Sequence, residues 1–412
     1  MTSPLERLSQ LYLLQLLDLN APLGFALLLV AGALMGEVVA RHTRLPRVTG
    51  YTVAGGLAAL LGHGASVPVS GWLGGVLEWA LSLLLFEIGA KLRLRWFAAN
   101  PPLLLTGMLE SLLSALAVYA VLTHWAGYTA AEAAAVAVIC LPASAAVAGR
   151  VAMEVGADGQ VTQRMTALTA LSTMTAVCAM VLLKGLLDPE HTPSMGQALQ
   201  SLAAQVAWSL ALAAGLAAAV GVVIRRLDPR NESAVLAVLG LVLCSATLAR
   251  QVGASSLLVP LLAGVLLRNT SQRAWSWPQH FGTAGSALVL VLFVLCGSAW
   301  SLTSFQAAGL TALVLVAVRL LTKLACTGLL GPWSGLGLRR SLALALTLTP
   351  LSASALLLLS DFSASFPKLA TGVMPVVLCA VAMLEIAGPV LVQWALTRAG
   401  EGRHSRPARS AS

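Results

Sequence analysis

Pro142-Ala143-Ser144-Ala145 and Pro350-Leu351-Ser352-Ala353 stand 208 residues apart, each in the middle of an apolar stretch long enough to cross a bilayer. Proline removes a backbone donor and clashes with the preceding turn, so each stretch is expected to form a helix broken at its proline. A break at membrane depth is stable only where it is buried in protein or lines a cavity. Interrupted segments at matching positions of two halves mark the place where a solute site would sit. Pro142 and Pro350 therefore mark the candidate site.

Composition supports a membrane setting. The 412 residues are 58% hydrophobic and 10% charged, against about 25% charged in soluble proteins. Thirteen candidate spans follow: 23–40, 50–62, 72–92, 103–123, 132–152, 165–186, 198–224, 232–249, 255–267, 284–299, 305–330, 341–360 and 369–397. Spans 50–62 and 255–267 are short against the roughly 20 residues of a straight transmembrane helix. Residues 1–22 are expected to be an amphipathic lead-in without a cleavable signal, 23–400 a single transmembrane domain, and 401–412 a short basic cytoplasmic tail.

The basic residues set the orientation. With thirteen spans, nineteen of the 25 Lys and Arg fall on the side of Arg41, Arg150, Arg339 and the C-terminus, and four on the other. The positive-inside rule places the C-terminus in the cytoplasm and the N-terminus outside. The cell membrane is the expected location, which is the inner membrane of a Gram-negative cell. The net charge of +9 is then loop charge, with no implication for nucleic acid. The six cysteines all lie in spans without a CxxC, so they read as small buried apolar groups, neither disulfides nor a metal site. No enzyme activity and no cofactor are expected.

Other pairs share the offset. Ala54-Gly55 matches Ala263-Gly264, and Leu85-Phe86, soon followed by Gly89, matches Leu292-Phe293, soon followed by Gly297. Spans 1–6 then map onto spans 8–13. Seven spans separate equivalents, an odd number, so the halves form an inverted repeat. Leu45-Pro46-Arg47-Val48-Thr49-Gly50-Tyr51, Leu85-Phe86-Glu87-Ile88-Gly89-Ala90-Lys91-Leu92, Leu261-Leu262-Ala263-Gly264-Val265-Leu266 and Gly388-Pro389 together carry a resemblance to the monovalent cation:proton antiporter superfamily, that is, the sodium/hydrogen exchanger-like transmembrane domain. It implies an all-α protein with two crossing broken helices, here spans 5 and 12, in a core that moves against a dimerising scaffold. A homodimer in the lipid bilayer, exchanging a monovalent cation for a proton, is the implied assembly.

The family usually carries one or two acids midway along the helix after the first break. Here Ser172 and Thr173 stand at those positions and span 6 has no carboxylate. The family also has a basic residue in the span before the second break; this chain has Arg319 and Lys323, one turn apart, with Lys323 the better match. Intramembrane charges are costly and usually functional. Neutral cation ligands are expected from Ser144, Ser172, Thr173, Thr349 and Ser352, with backbone carbonyls at the breaks. Acids that could carry protons in place of the missing one are Glu110, Glu385 and Glu87. Proton exchange for Na+ or K+ is the leading expectation. An anion or organic-acid transporter on the same fold, or a non-transporting sensor-like relative, are the alternatives.

Overall fold

Long runs of Ala and Leu punctuated by Pro and Gly give helices throughout the described residues of the computed structural model, which are 22–63, 71–187, 195–227, 232–270, 281–351 and 353–402. In chain order they are α1 (Pro22–Thr43), α2 (Arg47–Ala58, continued as a π-turn over Ala59–His63), α3 (Gly71–Gly89), a short α4 (Leu94–Ala98), α5 (Pro101–His124), α6 (Ala130–Ile139), α7 (Ala145–Val155) and α8 (Gln160–Leu187). They continue as α9 (Met195–Arg226), α10 (Glu232–Gln251), α11 (Leu258–Thr270), α12 (Phe281–Ser298), α13 (Leu302–Leu330), α14 (Leu338–Thr347), α15 (Ala353–Ser365) and α16 (Pro367–Arg398). No strand occurs among the described residues. The lead-in up to residue 21, Ser352 and the tail beyond 402 lie outside them.

Eight of these helices are long and apolar enough to cross a membrane, and shorter apolar helices such as Leu258–Thr270 and Ala353–Ser365 accompany them. The chain is a multi-pass membrane protein. Large apolar side chains such as Leu34, Leu310 and Leu321 are exposed on its surface, as lipid tails permit.

Both proline stretches break as expected. Pro142 lies between α6 and α7, and Pro350 between α14 and α15. A capping box starts α6: Thr129 Oγ1 accepts from Glu132 N (3.3 Å) while Thr129 N donates to Glu132 Oε2 (3.1 Å). Ser144 starts α7 by accepting from Val147 N at 3.1 Å. Each cap satisfies donors that a helix start otherwise leaves open.

Glycine lets the helices around the breaks approach closely. A Cβ on Gly55 of α2 would overlap the Val294 carbonyl of α12, and one on Gly297 would overlap the Thr52 carbonyl in return. The same reciprocity joins α3 and α11: Gly89 lies against the Leu261 carbonyl and Gly264 against the Phe86 carbonyl. Small residues at membrane helix crossings allow backbones to touch, where van der Waals contact and hydrogen bonds replace the hydrophobic driving force. On α16, Gly388 faces Pro350 in the same way, which seats that helix against the second break.

Candidate functional site

The two breaks meet. Ser144 N donates to Pro350 O at 2.8 Å, a backbone bond from one interrupted helix to the other. Where α6 and α14 end, their last carbonyls carry the negative end of the helix dipole. Arg319 of α13, fully buried, answers both. Its Nη2 donates to Pro142 O at 2.8 Å and its Nη1 to Thr349 O. A guanidinium suits this role because its planar fork offers donors in two directions at fixed geometry. Its Nε is buried and makes no hydrogen bond among the described residues.

One turn along α13, Lys323 pairs with Glu110 of α5. Lys323 is 0% and Glu110 2% exposed, so this is an ion pair without solvent access. Burying two charges costs several kcal/mol each, recovered only when each stays paired. The acid and the base singled out separately in the sequence are thus one unit, next to the guanidinium that joins the breaks.

Ser172 of α8 lies against the first break. Its hydroxyl accepts from Ala143 N at 3.0 Å, in the first break, and donates to Thr169 O at 3.0 Å. A neutral oxygen therefore satisfies the N–H that faces α8. Thr173 donates to Thr169 O (2.9 Å) and Thr349 to Ala345 O (3.0 Å). Their lone pairs stay available to a cation, since donation uses only the proton. Ser144, Ser172, Thr173 and Thr349 are all buried, and the structure brings them to the crossing. Ser352 falls outside the described residues.

The other two acids lie elsewhere. Glu385 on α16 is fully buried and accepts from Thr52 Oγ1 at 3.2 Å, beside the α2/α12 crossing and one turn from Gly388. Glu87 on α3 pairs with Lys91 at 2.8 Å in a partly exposed i,i+4 bridge, with Lys91 on the wall of a cavity that Ala145 also lines.

Cavities reach toward the crossing from both ends of α8. One, of about 470 Å³, is lined by Ala145, Gly149, Thr166 and Thr169. The other, of about 350 Å³, is lined by Val177, Met180, Glu78, Arg250 and Asp361. At 1.5 Å rise per residue, Thr169 and Val177 are roughly 12 Å apart along the helix. Ser172 and Thr173 lie in the interval, level with the breaks.

Three groups escaped sequence reasoning. Glu78 is 4% exposed and faces Arg250 at 3.1 Å. Arg164 donates to Ser334 O at 2.7 Å, tying α8 to the turn before α14. Glu401, at the start of the expected tail, folds back and accepts from Val161 N (2.7 Å) and Thr162 N (2.8 Å), capping α8. The only sequence signal among them was a carboxylate, Glu78, set inside an apolar run.

Two solved structures share this architecture. Both are of the sodium proton antiporter MjNhaP1 from Methanocaldococcus jannaschii. One, at pH 8, is 14% identical, covers 94% of this chain and 98% of its own, and superposes with a TM-score of 0.65. The other, from electron microscopy, is 16% identical, with 91% and 94% covered and a TM-score of 0.68. At these identities the likeness is one of fold. No protein of curated function matches in sequence. The family described as "Sodium/hydrogen exchanger, transmembrane" matches residues 25–397. With that match spanning the helices that build the crossing, the chain belongs to the sodium/hydrogen exchanger transmembrane family.

Proposed function

We propose that the protein is a secondary-active antiporter exchanging protons for Na+ or K+, with Glu110 and Lys323 supplying the exchange that the missing acid of α8 performs elsewhere in the family. The observation that carries this reading is the buried Lys323–Glu110 pair beside the crossing. A cation bound at Glu110 takes the place of the Lys323 ammonium. An ammonium deprived of its carboxylate in a dry site persists only as the neutral amine, so it gives up its proton. Cation binding and proton binding then exclude each other at one carboxylate, so uptake of the cation is coupled to release of the proton. Ser144, Ser172, Thr173, Thr349 and Ser352 complete the oxygen ligands with the break carbonyls. Glu385, beside Thr52, and Glu87 remain secondary candidates for proton transfer.

The reciprocal glycine contacts support an inverted repeat: Gly55 against α12 and Gly264 against α3 occupy equivalent places in the two halves. The charge distribution supports a C-terminus in the cytoplasm and an outer N-terminus. The cell membrane and a homodimeric state complete the proposal. The family relationship supports a transporter over an enzyme. One observation favours an anion or organic acid instead, the unbonded buried Nε of Arg319. Against it, Arg319 and Lys323 are formally balanced by Glu110 and Glu385, and both Nη groups and the ammonium are already engaged.

Reconstitution in liposomes with a trapped pH dye tests the proposal. Addition of Na+ or K+ is expected to change the internal pH. A pH change or flux driven only by chloride or a carboxylate would replace the reading with anion transport. Silence with every ion would leave a non-transporting relative.

A further inference from the structure

The cavity at the C-terminal end of α8 holds a carboxylate that the exchange described above does not use. Glu78 projects into it from α3, with 4% of its surface exposed. The Ser256 hydroxyl bonds the carboxylate. Its Oε2 is buried and makes no hydrogen bond among the described residues. That oxygen instead faces Arg250 Nη2 of α10 at 3.1 Å. Arg250 reaches in from solvent with 56% of its side chain exposed. A structural acid in such a position normally has both oxygens bonded. Here the counter-charge is a side chain more than half exposed, which water can solvate when it leaves the carboxylate.

The surroundings suit a small hard cation. Ser255, Ser256 and Ser360 also line the cavity and offer oxygen ligands, the type such ions take. The other charge lining it, Asp361, is neutralised by Lys184 at 2.9 Å. Val177 on the cavity wall lies one turn from Thr173 on the same face of α8. An ion held at Glu78 is therefore on the direct approach to the crossing.

We propose that Glu78 is the loading ligand for the transported monovalent cation at this end of the path, and that Arg250 fills its place as a tethered cation until the ion arrives. This rests on the cation-exchange reading. It adds a site that acts from one membrane face only: the face opposite Arg164, Arg339 and Arg340. Displacement of Arg250 leaves the charge of the cavity unchanged, because one positive group replaces another, so loading incurs no uncompensated buried charge.

The test compares the wild type with Glu78→Gln and Arg250→Ala in right-side-out and inverted membrane vesicles, with Na+ and K+ as probes. Glu78→Gln is expected to raise the half-saturating cation concentration at the Glu78 face roughly tenfold, a loss of about 1.4 kcal/mol, with the opposite face unchanged. Arg250→Ala removes the competitor and is expected to lower it severalfold at the same face. An unchanged value in Glu78→Gln, an equal change at both faces, or a rise in Arg250→Ala would overturn the assignment. If Glu78→Gln fails to fold, Arg250→Ala decides alone. Thermal stabilisation by Na+ and K+ in detergent is measured on the same proteins. A wild type that does not exchange would refute the transport reading, while loss of cation-dependent stabilisation in Glu78→Gln would still support the site and its retention would overturn it.

Discussion

Replacing Lys323 by Met leaves the Glu110 carboxylate buried without its counter-ion. Two unit charges about 4 Å apart interact by roughly 4 kcal/mol at an effective dielectric constant near 20, and breaking buried pairs costs about 3–5 kcal/mol. Globular proteins unfold with about 2.1 cal/mol/K of entropy per residue. For 412 residues, 4 kcal/mol then corresponds to a fall in Tm of about 5 °C. Glu110→Met should cost a similar amount, because it strands the Lys323 ammonium. The double variant Glu110→Met/Lys323→Met should recover to within about 2 °C of the wild type, since apolar groups can replace a buried pair at little cost. Stability and exchange then part company: all three variants are expected to lose cation-driven proton movement, but only the singles lose stability. The assays are thermal unfolding in detergent and the liposome pH dye. A double variant as unstable as the sum of its singles would show that the two charges are not coupled. A stable double variant that exchanges like the wild type would remove the pair from the transport mechanism.

Further outcomes follow from the same geometry. Arg319→Leu is expected to abolish exchange and lower Tm, because two carbonyls lose charged donors worth about 1.5–3 kcal/mol each, partly offset by the charge no longer buried; Arg319→Lys should stay impaired in the liposome assay, since it lacks the planar fork. Gly89→Ala should destabilise by about 1–3 kcal/mol in thermal unfolding, as its Cβ overlaps the Leu261 carbonyl. Gly215→Ala on α9, with open space around it, should be neutral or stabilising by up to about 1 kcal/mol. Glu401→Ala removes the cap on α8 at a cost of about 0.5–2 kcal/mol, and should speed amide hydrogen exchange at Val161 and Thr162 relative to the rest of that helix.

Much of the fold was legible because its rules are local. Pro142 and Pro350 mark the two breaks, although Pro375 and Pro389 lie within an unbroken α16, and an apolar run announces a membrane helix without knowledge of its neighbours. The glycines Gly55, Gly89, Gly264 and Gly297 showed themselves by spacing, although which faced which required the packed helices. The site was legible in its ingredients only. Glu110 and Lys323 are 213 residues apart, and no periodicity links α5 to α13. Ser172 read as a missing charge; that its hydroxyl holds Ala143 N is a fact of tertiary geometry. Glu401 read as tail because its composition matches a tail, and its bond to the start of α8 depends on where α16 ends. Arg250 sits at a helix end where a cation is ordinary, so nothing in the sequence connected it to Glu78.

The Lys323–Glu110 pair also has a consequence for the membrane voltage. In the proposed exchange Glu110 faces either the Lys323 ammonium or a bound Na+ or K+ beside a neutral Lys323, and the formal charge of the unit is zero in both states. A full charge moved through 100 mV corresponds to about 2.3 kcal/mol, but a unit that carries none in either direction experiences no such force. One cation then leaves for each proton that enters, no current flows, and the concentration gradients alone set the direction of exchange.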